Sequence, residues 1–314
     1  MNGAGFVLIS VAHWHYIDVM SNEHDDNLFA EDADSLIDSM SQMYDLNQEH
    51  LDAIHILENE VDRVRDSVGI YITLFDLYSQ LENMQEAGQC LVEASRGVDR
   101  EKHRALIYFL YNQLELFAQL SPQAQAAYER MGDLIAGDDD INPSSVALDQ
   151  RRLNMQDFIP ELLLAQHLTR SKKLSPSEFQ IVVEDLCWFG AQPQTAPRAC
   201  LYVFHDRQLP HEDRAIEFLA QDAAMPYIDL NLIEPEPDFL EVLPPESCLR
   251  RAACVFGQVG GEPMVALLNP FNLKLMDDIS RRLECEPHFF LTRASGYTHF
   301  LEIQRAVAGD ESSR

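Results

Sequence analysis

Between Ala30 and Ala136 the chain contains a single proline, Pro122, and carries apolar residues at helical spacing throughout. An interior proline removes a backbone donor and clashes with the turn before it, so a long stretch nearly free of proline leaves helices unbroken. Leu51, Ile54, Ile56, Leu57, Val61 and Val64 show the pattern, one apolar stripe facing a core. This half is predicted to be all helix.

From Tyr71 to Ala94 the stripe is Tyr71, Leu74, Tyr78, Ala87, Leu91 and Ala94, with a break at Glu82-Asn83 between two helices. Two antiparallel helices approach closely where small residues, here Ala87 and Ala94, face large ones such as Tyr71 and Tyr78. That spacing resembles a tetratricopeptide repeat, although Phe75 stands where the repeat has glycine. A second, more degenerate pair runs from Tyr108 to Ala118 and, past Leu120-Ser121-Pro122, through Ala124, Tyr128 and Met131. A plain helical bundle needs the same stripe, so these residues read as packing and not as a binding site.

Gly137-Asp138-Asp139-Asp140-Ile141-Asn142-Pro143-Ser144-Ser145 combines turn formers with like charges and reads as a linker. Its D-x-D-x-N spacing resembles a calcium loop, but Pro143 stands where the sharp turn needs glycine and no closing glutamate follows at the right distance. Leu153 to Leu168 is a helix by periodicity. Ser175-Pro176-Ser177-Glu178 is a helix start in which Ser175 caps, Pro176 suits the first turn and Glu178 reaches back. Pro197 to Gln208 and Pro210 to Gln221 are two further helices.

The period changes from Pro226 onwards. Short strands are predicted at Tyr227–Leu230, Ala252–Gly257, Met264–Leu268 and His288–Leu291, with helices at Asn272–Leu283 and Ser295–Ala306. Gly260-Gly261 fits a hairpin turn between the two middle strands. The fold class is therefore α + α/β: a helical-hairpin, tetratricopeptide-like domain followed by a helical subdomain and a small α/β domain. The expected boundaries are an acidic, disordered leader over 1–30, the helical domain over 31–136 and the linker over 137–150. The second domain follows over 151–308, and a disordered tail over 309–314. Met20-Ser21-Asn22-Glu23 looks like a genuine start, which makes His13 and His15 incidental rather than metal ligands.

Charge narrows the partners. Asp and Glu number 52 against 23 Lys and Arg, a net charge of −29 that repels a phosphate backbone and favours partners with basic surfaces. The basic clusters Arg151-Arg152, Arg170 to Lys173, Arg250-Arg251 and Arg281-Arg282 are short enough to be solvated faces. No apolar run approaches the roughly 20 residues of a membrane span, and the first residues lack the basic start and cleavage site of a signal peptide. No nucleic acid and no membrane insertion are expected, and the location is read as cytoplasmic.

Cys90, Cys187, Cys200, Cys248, Cys254 and Cys285 are scattered without a C-x-x-C pair, so neither zinc nor redox chemistry has its spacing. His205-Asp206, His211-Glu212-Asp213 and Cys285-Glu286-Pro287-His288 contain site-like residue types, but neighbours on a helix point in different directions. The nucleophile elbow, the dinucleotide fingerprint and the zincin motif are absent from the sequence. No catalytic, cofactor-binding or metal-ligating residue is assigned, no cofactor is expected, and the residues that bind a partner stay unknown.

One ordered series of motifs carries a resemblance. A helix ends in Ala223-Ala224-Met225-Pro226-Tyr227-Ile228-Asp229-Leu230, followed by Leu243-Pro244 and Cys254-Val255-Phe256. Then come Val265-Ala266-Leu267-Leu268-Asn269-Pro270 and Glu286-Pro287. In that order and spacing, residues from about Leu153 to Ala306 resemble the N-terminal domain of type II secretion and type IV pilus assembly ATPases. The resemblance implies regulation and assembly, through docking on a partner or sensing a nucleotide.

The motor's phosphate loop, G-x-x-x-x-G-K-[ST], is absent, and Gly257 to Gly261 has neither the lysine nor a following helix. Some family members bind cyclic di-GMP through R-L-G-type motifs. Alignment on Leu174-Ser175 puts Leu163 at the arginine and Ala165 and Lys172 at the glycines, which are the wrong side chains. The expectation is a non-catalytic adaptor that binds protein, linked to a secretion or pilus system. The alternative is a regulatory domain that senses a cyclic dinucleotide or nucleotide.

Overall fold

The computed structural model describes residues 47–136, 155–191, 199–233, 239, 242–243, 248 and 252–311. Met20, His13 and His15, the linker from Gly137 to Ser145, Arg151-Arg152 and Arg250-Arg251 lie outside the described residues. The described residues from 49 onwards form one compact unit.

Residues 47–60 form α1, followed by α2 (Val68–Gln80), α3 (Met84–Gly97), α4 (Arg104–Ala118) and α5 (Pro122–Ala136). The break at Glu82-Asn83 falls where the periodicity put it: Glu82 has φ 59°, and the Asn83 side chain caps α3 by accepting from Glu86 N. Ala87 and Ala94 are fully buried between the helices. Phe75 meets Phe109 and Phe117 edge-on at 6.1 and 6.4 Å, and these contacts tie α2 to α4. A ring fills the place of the repeat's glycine.

The same closing device recurs along the chain. After the helices that end at Gln80, Arg170, Asp206, Asp222 and Leu283, one N–H bonds five residues back along the turn and its predecessor bonds inside it. The pairs at Glu82-Asn83, Lys172-Lys173, Gln208-Leu209, Ala224-Met225 and Glu284-Cys285 do this. In each, the first residue has φ between 49° and 59°, and none is glycine.

The second half contains α6 (Met155–Arg170), α7 (Pro176–Ala191), α8 (Cys200–Asp206) and α9 (Glu212–Asp222). The reciprocal cap at the start of α7 forms as the sequence predicted: Ser175 N donates to Glu178 Oε2 at 2.8 Å, and Glu178 N donates to Ser175 Oγ at 3.3 Å. Helix α7 also lies against α2. A Cβ added to Gly69 would stand 3.0 Å from the Cys187 carbonyl carbon and the Trp188 nitrogen, so the two backbones approach too closely for a side chain there.

A three-stranded sheet in the order β1-β2-β3 completes the fold. Strands β1 (Ala253–Val259) and β2 (Glu262–Leu267) are an antiparallel hairpin. Gly260 and Gly261 turn it with φ of 62° and 92°, a region costly for residues with a Cβ. Helix α10 (Leu273–Leu283) crosses over to β3 (His288–Leu291), which pairs parallel with β2, and α11 (Ala294–Glu311) covers the sheet. Tyr297 of α11 is fully buried, its hydroxyl shared between the carbonyls of Cys248 at 2.8 Å and Ala253 at 3.0 Å.

Two expectations change. Tyr227–Leu230 is not a strand: Tyr227 makes one parallel bridge to Leu291, and the Asp229 carboxylate then accepts from Asn231 N and turns Leu230–Leu232 into a short 3-10 helix. Helix α11 also runs on past Ala306. The architecture is thus mostly helical with one small mixed sheet.

Candidate functional site

The turn after β2 joins the sheet to the helices. Strand β2 is buried from Val265 to Leu267, and Leu268-Asn269-Pro270 leads out of it towards α10. Proline at 270 has no N–H and cannot continue the ladder. Asn269 turns inward and is almost wholly buried. Its Nδ2 donates to Glu161 Oε1 at 2.9 Å and to the Pro160 carbonyl at 3.1 Å, while its Oδ1 accepts from Phe271 N at 3.0 Å. Asn272 then caps α10 by accepting from Leu275 N.

Glu161 is the acidic centre of this junction. Its Oε2 accepts from Cys200 N at 2.7 Å, so one carboxyl group holds α6, the start of α8 and the sheet turn together. Burial pushes its pKa up to about 7, against the hydrogen bonds from Cys200 and Asn269 that favour the charged form and with the nearby Asp157 adding to the rise. This group can exchange a proton near neutrality. Sequence reading passed over it, although it sits on the stripe Phe158, Leu162, Ala165, Leu168, where a charged residue among buried apolar ones was a visible signal.

Directly outside the turn lies a half-exposed aromatic rim. Phe271, 39% exposed, meets the His167 ring edge-on at 5.2 Å; His167 lies 5.5 Å from Phe218 and pairs with Asp222 Oδ2 at 2.9 Å. The Lys173 ammonium sits 5.2 Å from the Phe218 ring. Leu273, 68% exposed, extends the apolar surface at the start of α10. A second rim is built at Arg293, whose Nε donates to the Tyr227 hydroxyl at 3.0 Å and whose Nη1 pairs with Asp213 at 2.7 Å.

The site-like runs of the sequence do not come together. His288 turns to Glu262 Oε2 across the strands at 2.7 Å, and Asp213 is engaged by Arg293. Burial raises the Glu212 carboxyl, with His205 and Arg293 pulling it back. Burial also pushes the Cys90 and Cys187 thiols up to about 12 and Cys248 to about 11, with Cys200 and Cys254 well above the ordinary range, so these five are thiols at neutral pH. Among the described residues no group of three or more His, Cys, Asp or Glu side chains is placed to hold a metal. No helix among them is long and apolar enough to cross a membrane.

At the positions aligned with the cyclic di-GMP motif, Leu163 is half-buried, Ala165 is fully buried and Lys172 has φ 57°. The backbone there keeps a conformation that suits glycine while the side chain does not.

A helical scaffold is closed by a strand hairpin, a crossover helix and an inward-facing Asn-Pro turn, a small α/β module. Residues 223–299, from the end of α9 into the first turns of α11, match the MshEN domain, found at the N-terminus of type II secretion and type IV pilus ATPases. The motif series read from the sequence is therefore that of this domain over those residues. A solved structure of MshE with cyclic di-GMP is 19% identical over 45% of this chain and 97% of its own, with a TM-score of 0.32, too low to bear on the fold. No curated protein matches the chain.

Proposed function

We propose that this chain is a non-catalytic interaction and regulatory module linked to a type II secretion or type IV pilus system. The observation that carries the proposal is the MshEN domain over residues 223–299 in a sequence with no phosphate loop. The domain's surface at the Asn-Pro turn, with Phe271, Leu273 and the His167 rim, supplies a mixed aromatic and charged face of the kind that docks protein. Helices α2 to α5 are two hairpins of the tetratricopeptide kind, and they present a separate face to a second protein. A net charge of −29 favours basic partners and a fast, salt-sensitive encounter in the cytoplasm.

Binding of the purified chain to individual secretion and pilus components, measured across a salt series, tests this. Saturable binding that weakens with salt is expected, together with no ATP hydrolysis. Absence of binding at low salt to every component overturns it. The second reading is sensing of a cyclic dinucleotide or other nucleotide, which the likeness of residues 223–299 to the MshEN domain keeps in play. Saturable heat on titration with cyclic di-GMP or ATP selects that reading over the adaptor.

A further inference from the structure

The docking rim is tied to the interior through a single side chain. Asn269 Nδ2 donates to Glu161 Oε1 at 2.9 Å and to the Pro160 carbonyl at 3.1 Å, and its Oδ1 accepts from Phe271 N at 3.0 Å. A path of hydrogen bonds thus runs from the Glu161 carboxyl, across one amide, to the backbone of the residue whose exposed ring forms the rim. Just beyond, Asn272 caps α10 and Leu273 opens it, so the position of the turn also sets the apolar surface beside the ring.

What faces Glu161 determines what its ionisation does to that path. The carboxyl is almost wholly buried, and no ion pair with Lys, Arg or His reaches it among the described residues. From α6 it faces Asp157, a second buried acid one turn earlier. From α8 it faces the Cys200 thiol and N–H, the latter 2.7 Å from Oε2, and from the sheet turn the neutral Asn269 amide. On α7 the buried acids are engaged elsewhere, Glu178 with Ser175 and Asp185 with Arg207.

Ionised, Glu161 is a buried charge held by two neutral donors and repelled by Asp157; protonated, it escapes both costs. Opening of the turn lets water reach the carboxyl and removes the penalty. The closed turn therefore holds the proton to about pH 7, whereas the open turn releases it near the ordinary value of about 4.3. Proton binding favours the closed turn; that preference is full below about pH 4.3 and is lost as pH rises to about 7.

We propose that the Glu161–Asn269 clasp is a proton-operated latch on the docking rim. With Glu161 neutral the turn stays closed and presents Phe271 and Leu273 in one arrangement; with Glu161 ionised the turn opens more readily and the rim loses its hold. The latch regulates the face that the adaptor reading assigns to docking and rests on that reading for its purpose, but its opening is a property of the chain alone.

Hydrogen exchange of the Phe271 amide, whose N–H Asn269 holds, measures the opening in the full chain without any partner. After correction for the intrinsic rate, protection is expected to fall roughly tenfold per pH unit between about pH 5 and 7 and to level off above, the slope of one proton released on opening. Phe271 should also be less protected than the core amides of α2 at every pH, because the latch opens without unfolding the helices. Glu161→Gln, neutral throughout, should make Phe271 protection independent of pH. If that variant folds poorly, carboxyl-carbon NMR of Glu161 in the unsubstituted chain decides, with titration near pH 7 supporting the latch. Titration near the ordinary value, a slope retained in Glu161→Gln, or Phe271 protection equal to that of the α2 core overturns it. If exchange behaves as expected while no secretion or pilus component binds, the latch stands and the docking reading alone falls.

Discussion

Helices α2 to α5 and the region built on the sheet both bury polar side chains, but they satisfy them at different range. In the first, Thr73 Oγ1 donates to the Gly69 carbonyl four residues back and Ser95 Oγ to Val92 three back. In the second, Asn269 reaches Glu161 and Pro160 from the far side of the domain, Tyr297 reaches Cys248 and Ala253, and Gln304 reaches Leu243. Local bonds survive small shifts of one helix against another. Long-range bonds fix one arrangement, so the sheet region is held by a few polar clasps where the helical region is held by area. Exceptions in the helical region include His50 with Gln80 at 3.0 Å, the Tyr111 and Tyr128 hydroxyls at 2.7 Å, and Asp66, raised by burial but held below the usual carboxylate range by Lys102, Val68 N–H and His103.

The largest effect should come from breaking the close approach that joins the two regions. Gly69→Val places a branched side chain against the Cys187–Trp188 backbone and should cost about 3 kcal/mol in urea unfolding. A loss below about 0.5 kcal/mol would show that α2 and α7 slide apart freely. Next, Asn269→Ala leaves Glu161 and the Pro160 carbonyl each short of a donor and should cost about 2 kcal/mol, while Thr73→Val, which loses a local bond to Gly69 and a weak one with the Cys187 thiol, should cost about 1 kcal/mol.

The clasp also predicts a pH dependence. Glu161 holds its proton to about pH 7 in the folded chain but only to about 4.3 when unfolded, so the native state binds more protons between those values. Its contribution is fully present below the unfolded pKa and is lost as pH rises towards and through 7. Thermal melts between pH 5 and 8 should show this decline, and Glu161→Gln should flatten it. An unchanged slope in the variant would assign the titration to another group. The smallest effect is at a helix end: Lys172→Gly removes the Cβ from a left-handed position and should stabilise by about 1 kcal/mol.

Legibility followed the same division. The break at Glu82-Asn83, the Ser175/Glu178 cap and the Gly260-Gly261 turn each depend on atoms within a few residues, and each was readable in the sequence. Tyr227–Leu230 misled because its alternating pattern suits a strand, whereas the Asp229 side chain competes for the backbone and turns it. Phe75 looked like a defect in a repeat because its partners, Phe109 and Phe117, lie on a helix that sequence spacing does not place beside it.

What the sequence determined by itself is the succession of elements and the family of residues 223–299, because helical period, strand alternation and turn residues act over a few positions and survive without any partner in space. What only the tertiary structure decided is which charges are buried and what faces them. Glu161 is one acid among 52 Asp and Glu; its place on an apolar stripe signals burial, but nothing in its neighbours along the chain says that Asn269 and Cys200 N would face it. Desolvation and hydrogen bonding depend on groups brought together from distant positions, and that is settled only when the chain has packed.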